Sequence, residues 1–314
     1  MKLRIFLITV LPILLSFVSC SSAPPPKEEV FDKRNLAAQY MEFGNRYYQD
    51  SDYPQALQLY LIARNYFGSL DDTEGLISAY NALGKTYLKL GEQEEAYNHF
   101  QKALEFGKVA GKREFILQTV NNLSEAYLLK GDFEKALSLL DEYLSVASTS
   151  PPWKIEDAVY FHNRGTALNG LGRLDEAKEN AEQSVTINLA LKNYTEAASN
   201  YYLLSSIHAK KGNLTDAVSF AELALKFDKQ MENSNGIAQD LLALGLLAER
   251  MERTEKSYDF YSRAFLVYRS LNDRAGMRRV LKRLEEMAEK LGKDADVKLY
   301  REAREALESS SPSN

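Results

Sequence analysis

Apolar positions along the chain recur at helical spacing, in pairs of short runs. One such pair consists of Tyr80, Leu83, Tyr87, Ala96, Phe100 and Ala103. Residues three or four apart lie on one side of an α-helix, so each run predicts an amphipathic helix. A turn containing Gly91 separates the two runs, and glycine ends helices without the steric penalty of a Cβ atom. The pattern therefore predicts a helical hairpin as the unit of the fold.

The hairpin repeats with a period of 40 residues, and the spacing slips once to 41 near Pro151 and Pro152. The first helix of each unit carries a small residue: Gly44, Gly84, Ser124, Gly165, Ser205 and Gly245. Twelve positions later comes a second one: Ala56, Ala96, Ala136, Ala177, Ala217 and Ser257. After Asn272 the pattern continues as a degenerate seventh hairpin with a charged outer face. Hairpins that contact only their neighbours build a solenoid with a polar cap.

The segment from Tyr87 through Gly91, Ala96 and Phe100 to Ala103 resembles the tetratricopeptide repeat. Its period is longer than the usual length of about 34 residues. It is similar to the lengthened repeats of kinesin light chains and bacterial peptide-responsive regulators. The resemblance implies an all-α fold, a right-handed superhelical solenoid of six to seven antiparallel helix pairs over residues 35–308. It also implies that the first helix of each pair lines the concave surface.

The N-terminus is typical of a secretory signal. Lys2 and Arg4 precede an apolar run over residues 5–18 that is too short to span a bilayer easily. The segment Phe17-Val18-Ser19-Cys20 resembles a bacterial lipobox, which implies cleavage after residue 19 and lipid attachment at Cys20. The alternative is an ordinary secretory signal with an incidental cysteine. Two or more acyl chains would anchor the protein stably to a membrane surface.

Two further segments and the cellular location are predicted in addition to the N-terminal signal. Residues 20–34 include a Ser/Pro-rich stretch and are predicted to form a tether, and residues 309–314 a disordered tail. The predicted location is the bacterial cell envelope, with the chain lipid-anchored to a membrane surface. In a source with two membranes this is the periplasmic side of the outer membrane.

Composition narrows the function classes. Hydrophobic residues make up 45% and charged residues 26% of the chain, and the net charge is -5. These values exclude a disordered chain and show no nucleic-acid footprint. One cysteine and three histidines exclude an internal disulfide and disfavour a metal site. Phosphate-loop, dinucleotide, zinc-protease and nucleophile-elbow motifs are missing from the sequence. We therefore predict a protein that is not an enzyme, with no cofactor and no metal.

The candidate site is the inner face of the first helices. Its predicted residues are Asn45, Tyr48, Asn81, Lys85, Asn121, Asn122, His162, Asn163 and Tyr202. Asparagine is a mediocre helix former, so its recurrence calls for a cause. Its amide donates and accepts hydrogen bonds, as an extended peptide backbone requires. One interpretation is a ladder of amides that binds the main chain of a partner, which resembles peptide binding by lengthened tetratricopeptide proteins. The alternative is that these side chains are solvated or join neighbouring repeats.

The leading functional hypothesis is a non-catalytic, lipid-anchored scaffold that binds a protein or peptide partner in its concave groove. The alternative is an accessory ligand-binding subunit of an envelope transporter, which an apolar closed pocket would favour. One further feature is a basic run: Arg274, Arg278, Arg279, Lys282 and Arg283. It is either a solvated face of a terminal helix or a contact for anionic lipid or an acidic partner. Tyr48 and Tyr202 are also candidate interface anchors, and the oligomeric state stays open.

Overall fold

The described part of the chain is entirely α-helical apart from one short 3-10 helix. The computed structural model describes residues 28–309. The first seven α-helices are α1 (Glu28–Gln49), α2 (Tyr53–Ser69), α3 (Thr73–Leu90), α4 (Gln93–Ala110), α5 (Arg113–Lys130), α6 (Phe133–Glu142) and α7 (Ile155–Gly170). The others are α8 (Leu174–Ala190), α9 (Tyr194–Lys210), α10 (Leu214–Gln230), α11 (Ser234–Arg250), α12 (Thr254–Ser270), α13 (Arg274–Lys290) and α14 (Asp294–Ser309). Consecutive helices pack as hairpins, which confirms the predicted fold class.

We call the odd-numbered helices A helices and the even-numbered ones B helices. At Gly44, Gly84 and Gly245, an aromatic ring of the following B helix rests on the small residue of the A helix. A Cβ atom added at Gly84 would lie 2.5 Å from Phe100 Cε1, and one added at Gly245 would lie 2.4 Å from Tyr261 Cε1. Such distances are far below van der Waals contact, so only a residue without a side chain lets these helices approach.

The turns within the hairpins use the left-handed backbone conformation predicted for glycine. The φ angles are 82° at Gly91, 79° at Gly131 and 82° at Gly212. In the sixth hairpin Glu252 holds the equivalent position and still adopts a φ of 57°. The turn therefore keeps its geometry even where glutamate replaces glycine, because the neighbouring helices define it.

The slip in the period lies in the third hairpin, where α6 is the shortest α-helix among the described residues. A 3-10 helix (Leu144–Val146) and a loop containing Pro151 and Pro152 follow it. Proline cannot continue a helix. The fully buried Asp157 of α7 holds the loop, since it accepts hydrogen bonds from the backbone N–H of Ser148 at 2.7 Å and of Lys154 at 2.9 Å. Arg113 pairs with the same carboxylate.

Two predicted boundaries need correction. Helix α1 begins at Glu28, so the part of the predicted tether over residues 28–34 is helical, and α14 includes Ser309 of the predicted tail. The last proline of the tether is Pro26, and the residues that follow carry no restriction against the helical conformation. The signal segment and Cys20 lie outside the described residues. Among the helices described, none has the length and apolar character needed to cross a bilayer.

Candidate partner-binding groove

The A helices lie side by side and form an inner groove with three cavities. The first, of about 260 Å³, lies between α1, α3 and α5, and the second, of about 600 Å³, between α3, α5, α7 and α9. They share Lys85, Gln118 and Asn122, so they form one continuous surface. The third, of about 520 Å³, lies between α9, α11 and α13. We refer to the first two together as the N-terminal groove and to the third as the C-terminal pocket.

The N-terminal groove contains four of the predicted asparagines in a hydrogen-bonded network. The Asn81 amide donates to Thr119 Oγ1 at 2.9 Å, and the Asn122 amide donates to Asn81 Oδ1 at 2.8 Å. The Asn121 amide donates to the carbonyl of Glu156 at 2.9 Å. We call Asn81, Thr119, Asn121, Asn122 and Asn163 the amide network. These bonds join α3, α5 and α7, three consecutive A helices.

The network continues through Asn163 on α7. Its amide donates to the carbonyl of Asn121 at 3.1 Å and to Ser124 Oγ at 3.0 Å. Asn81, Asn121 and Asn163 are each 4% exposed and Asn122 is 8% exposed. Their amide donors are used between repeats, as the alternative interpretation of these residues expects. An unpaired buried polar atom costs about 1–3 kcal/mol, and among these four amides Asn121 Oδ1 is buried without a hydrogen-bond partner. Direct contact between these four amides and a partner stays a prediction.

The other predicted residues are more accessible. Asn45 and Lys85 are exposed, Tyr202 is 39% exposed, and Tyr48 and His162 are half-buried. Asn45 accepts a hydrogen bond from Tyr60 at 2.7 Å, and His162 Nδ1 contacts Asn200 Oδ1 at 3.0 Å. The structure therefore separates the predicted site into a buried framework and a set of accessible side chains on the same groove.

The C-terminal pocket includes residues that the sequence analysis missed. Tyr202 lines it together with Leu246, Arg250 and Arg283. The 40-residue register could have found Leu246, because it follows Ser206, another residue of this pocket lining, by one period. The basic run of α13 also falls on an A helix, and its Arg283 lies in the pocket wall.

A pair of buried carboxyls lies beside this pocket, between α10 and α11. Asp228 is 4% and Asp240 1% exposed, and the two carboxyls lie within hydrogen-bonding reach of each other. Asn233 donates to Asp228 Oδ1 at 2.9 Å. Burial, with the charge of Asp228 next to it, raises the pKa of Asp240 to about 8. Burial also raises the pKa of Asp228. One carboxyl of the pair therefore holds a proton near neutral pH.

The histidines lie in separate environments. His208 holds the position that Tyr87 and Tyr127 hold in earlier repeats, and it is buried with its ring 5.0 Å from that of Phe220. Within the described residues, no cluster of three or more histidine, cysteine, aspartate or glutamate side chains has the arrangement of a metal site.

Comparison with known proteins gives the class. Family models of the tetratricopeptide repeat match residues 36–108, 158–197 and 198–231. The chain therefore contains tetratricopeptide repeats over these residues, and its stacked helix pairs have the solenoid fold of that repeat.

Relatives of known name extend the comparison. Regulatory protein RapG of Bacillus subtilis is 27% identical over 157 residues, which cover 50% of this chain and 41% of RapG. The chain spans less than half the length of the curated relatives that it matches.

Solved structures show the same fold. The apo quorum sensor NprR from B. thuringiensis has a TM-score of 0.68 and 18% identity, over 89% of this chain and 81% of that one. A Rap protein complexed with competence and sporulation factor has a TM-score of 0.62 and 16% identity, over 87% of this chain and 75% of that one.

Proposed function

We propose that the chain is a non-catalytic, lipid-anchored scaffold of the bacterial cell envelope that binds a protein or peptide partner in its inner groove. The observation that carries the proposal is the groove itself. Consecutive A helices present accessible side chains such as Lys85 and Tyr202 above a buried framework of hydrogen bonds. A surface fixed in this way binds without the entropic cost of ordering itself.

The comparisons support the choice of a protein-interaction role. The Rap structure is a complex with competence and sporulation factor, and RapG is a regulatory protein. The proposal for the envelope rests on the N-terminal sequence, where Cys20 follows an apolar run and precedes a Ser/Pro-rich stretch. With two or more acyl chains on Cys20, anchoring would be stable, and one chain alone would be marginal.

Chemical cross-linking in intact cells, followed by purification through the chain, tests the partner-binding proposal. We expect recovery of one envelope protein or complex, and loss of that recovery when Lys85→Glu and Tyr202→Ala are combined. The matched control is Val109→Ala on α4, a B-helix residue that is 82% exposed. Equal recovery with the groove variant and the control would contradict the groove as the binding surface. Recovery of transporter subunits would favour the accessory-subunit alternative.

The anchor has its own test. We expect palmitate labelling of the chain in cells and its loss in Cys20→Ser. Labelling that persists in this variant would refute Cys20 as the lipidation site and leave the groove proposal unaffected.

A further inference from the structure

The walls of the C-terminal pocket are apolar and accessible. Tyr202 from α9 is 39% exposed, and Leu246 from α11 is 37% exposed. Ala209, Ala243 and Leu247 complete this apolar part of the lining. Covering such surface with another apolar group contributes roughly 25 cal/mol per Å². The cavity of about 520 Å³ has room for one bulky side chain together with its neighbours along a segment.

The carboxylate that lines this pocket is already neutralised. Glu249 accepts a hydrogen bond from Tyr261 at 2.8 Å and from Arg283 at 3.1 Å. It therefore offers little attraction to a positively charged ligand. Arg283 is likewise occupied, since it lies between Glu249 and Glu286.

Other cations around the pocket have no such partner. Within residues 32–308, Arg250, Arg279 and Lys282 are exposed and form no ion pair. Arg250 lines the pocket, and Arg279 precedes Arg283 by one helical turn on α13. Lys282 follows Tyr202 by two repeat periods and so lies in the same row of the groove. Of these three unpaired cations, Arg250 belongs to the pocket lining, and the other two lie on α13, the helix that also carries Arg283.

Electrostatics place Arg279 close to the pocket as well. Burial raises the pKa of the Tyr202 phenol, Asp240 adds to this effect, and the guanidinium of Arg279 opposes it. The N-terminal groove differs, since exposed Lys85 lies there in the same cavity as exposed Glu125. The lining of the C-terminal pocket instead has two arginines, Arg250 and Arg283, and one glutamate, Glu249.

We infer that the C-terminal pocket binds a segment of the partner in which one bulky apolar side chain is flanked by carboxylates. This inference rests on the proposed function and specifies the chemistry of the partner. The apolar side chain would cover Tyr202 and Leu246, and the carboxylates would pair with Arg250 and Arg279. Complementary charge of this kind gives orientation and specificity to a contact whose affinity comes from the apolar group.

A random peptide library displayed on phage and selected on the purified full chain tests the inference. We expect the selected peptides to carry an aromatic or large aliphatic residue with Asp or Glu within two positions. Their affinity should fall by about tenfold or more for Arg250→Glu combined with Arg279→Glu. It should fall similarly for Ala243→Phe, which fills the pocket.

The matched control is Lys226→Glu combined with Lys229→Glu on α10, which changes the charge equally on exposed B-helix residues. Peptide affinity should be unchanged in this control. Circular dichroism checks folding, and Arg250→Gln with Arg279→Gln replaces the charge-reversal pair if that pair unfolds.

The contradicting outcomes are distinct. Selected peptides without acidic residues, or with equal affinity for both charge variants, would overturn the inference and leave a peptide-binding groove. Selection of no peptide would overturn the inference and count against the proposed function too. Binding of phosphatidylglycerol vesicles that depends on Arg250 and Arg279, without acidic peptides, would assign the pocket to lipid headgroups instead.

Discussion

The two ends of the inner groove share one backbone period but join their A helices differently. In the N-terminal groove Asn122 and Asn163 hold the positions that Leu203 and Ala243 hold in the next two repeats. The first pair forms hydrogen bonds between helices, whereas Leu203 belongs to an apolar core cluster and Ala243 lines the C-terminal pocket. The difference shows that packing at the small residues fixes the solenoid, while the groove positions are free to specialise.

These two ways of joining the A helices have different physical consequences. A buried polar network is costly when only partly satisfied, so the amide network holds α3, α5 and α7 in one register. Apolar contacts are not directional. The C-terminal end combines apolar contacts with one ion pair between A helices, Arg283 to Glu249, and Arg250 remains available to a ligand.

Successive repeats also differ where a B helix packs against the next A helix. Asn188 and Asn200 precede Asp228 and Asp240 by one period, so a pair of amides in one repeat becomes a pair of acids in the next. The buried acid pair gives the largest effect that we predict. In the folded protein Asp240 has a pKa raised from 3.8 to about 8 by burial. It holds its proton where the unfolded chain has lost it.

Because the folded state binds this extra proton, the free energy of unfolding should decrease as pH rises from about 4 to about 8. The limiting slope is about 1.4 kcal/mol per pH unit for one proton. Asp240→Asn mimics the protonated form, so it should remove this slope and be more stable than the wild type at pH 8. Urea denaturation at several pH values measures both.

The control for the pH prediction is Asp259→Asn, an exposed carboxylate on α12. The difference in the free energy of unfolding between this variant and the wild type should change little with pH. A wild type and an Asp240→Asn variant with parallel pH profiles would contradict a retained proton at Asp240.

The second prediction concerns what both ends have in common. Gly84→Ala on α3 and Gly245→Ala on α11 should each lower the free energy of unfolding by about 1–3 kcal/mol. Each new Cβ would meet the ring of Phe100 or Tyr261. Gly68→Ala is the matched control, because the nearest atom to its added Cβ, in Leu76, lies 3.9 Å away.

Chemical denaturation compares these three glycine variants. Alanine favours helices over glycine, so Gly68→Ala should be neutral or stabilising. Neutral effects at Gly84 and Gly245 would show that the rings can move and that close approach does not define the repeat.

The smallest predicted effect is the coupling between Asn81 and Asn122. A double-mutant cycle with Asn81→Ala and Asn122→Ala should give a coupling free energy of about 1 kcal/mol, because the two amides share a 2.8 Å hydrogen bond. Leu203→Ala combined with Asn81→Ala is the control and should show additive losses. Additive losses in the asparagine pair would contradict the amide network as a framework.

The regular spacing of small residues is the sequence feature that predicts most of the fold. Gly84 and Ala96 predict a close helix approach because no larger residue fits there, and the positive φ of Gly91 follows from its turn. The start of α1 could not be predicted as reliably, since nothing after Pro26 opposes or demands a helix. Helix ends carry weaker signals than the regular repeat.

The sequence predicted the groove as a surface. It did not predict which residues form the buried framework and which remain accessible to a ligand. An asparagine on an A helix satisfies both the framework and the ligand interpretations, and only the position of its acceptor separates them. For Asn122 the acceptor is Asn81, 41 residues earlier in the chain. Arg250 carries no sequence signal of its own, since its importance depends on Tyr202 and α13 lying near it in the same pocket.

The most direct test of the central claim is to locate the partner contact by photo-cross-linking from single positions in cells. A photoreactive residue at Tyr202 or Lys85 should cross-link one partner protein, and the same residue at Val109, which is 82% exposed on a B helix, should not. Cross-linking from Val109 with none from Tyr202 or Lys85 would contradict the inner groove as the binding surface.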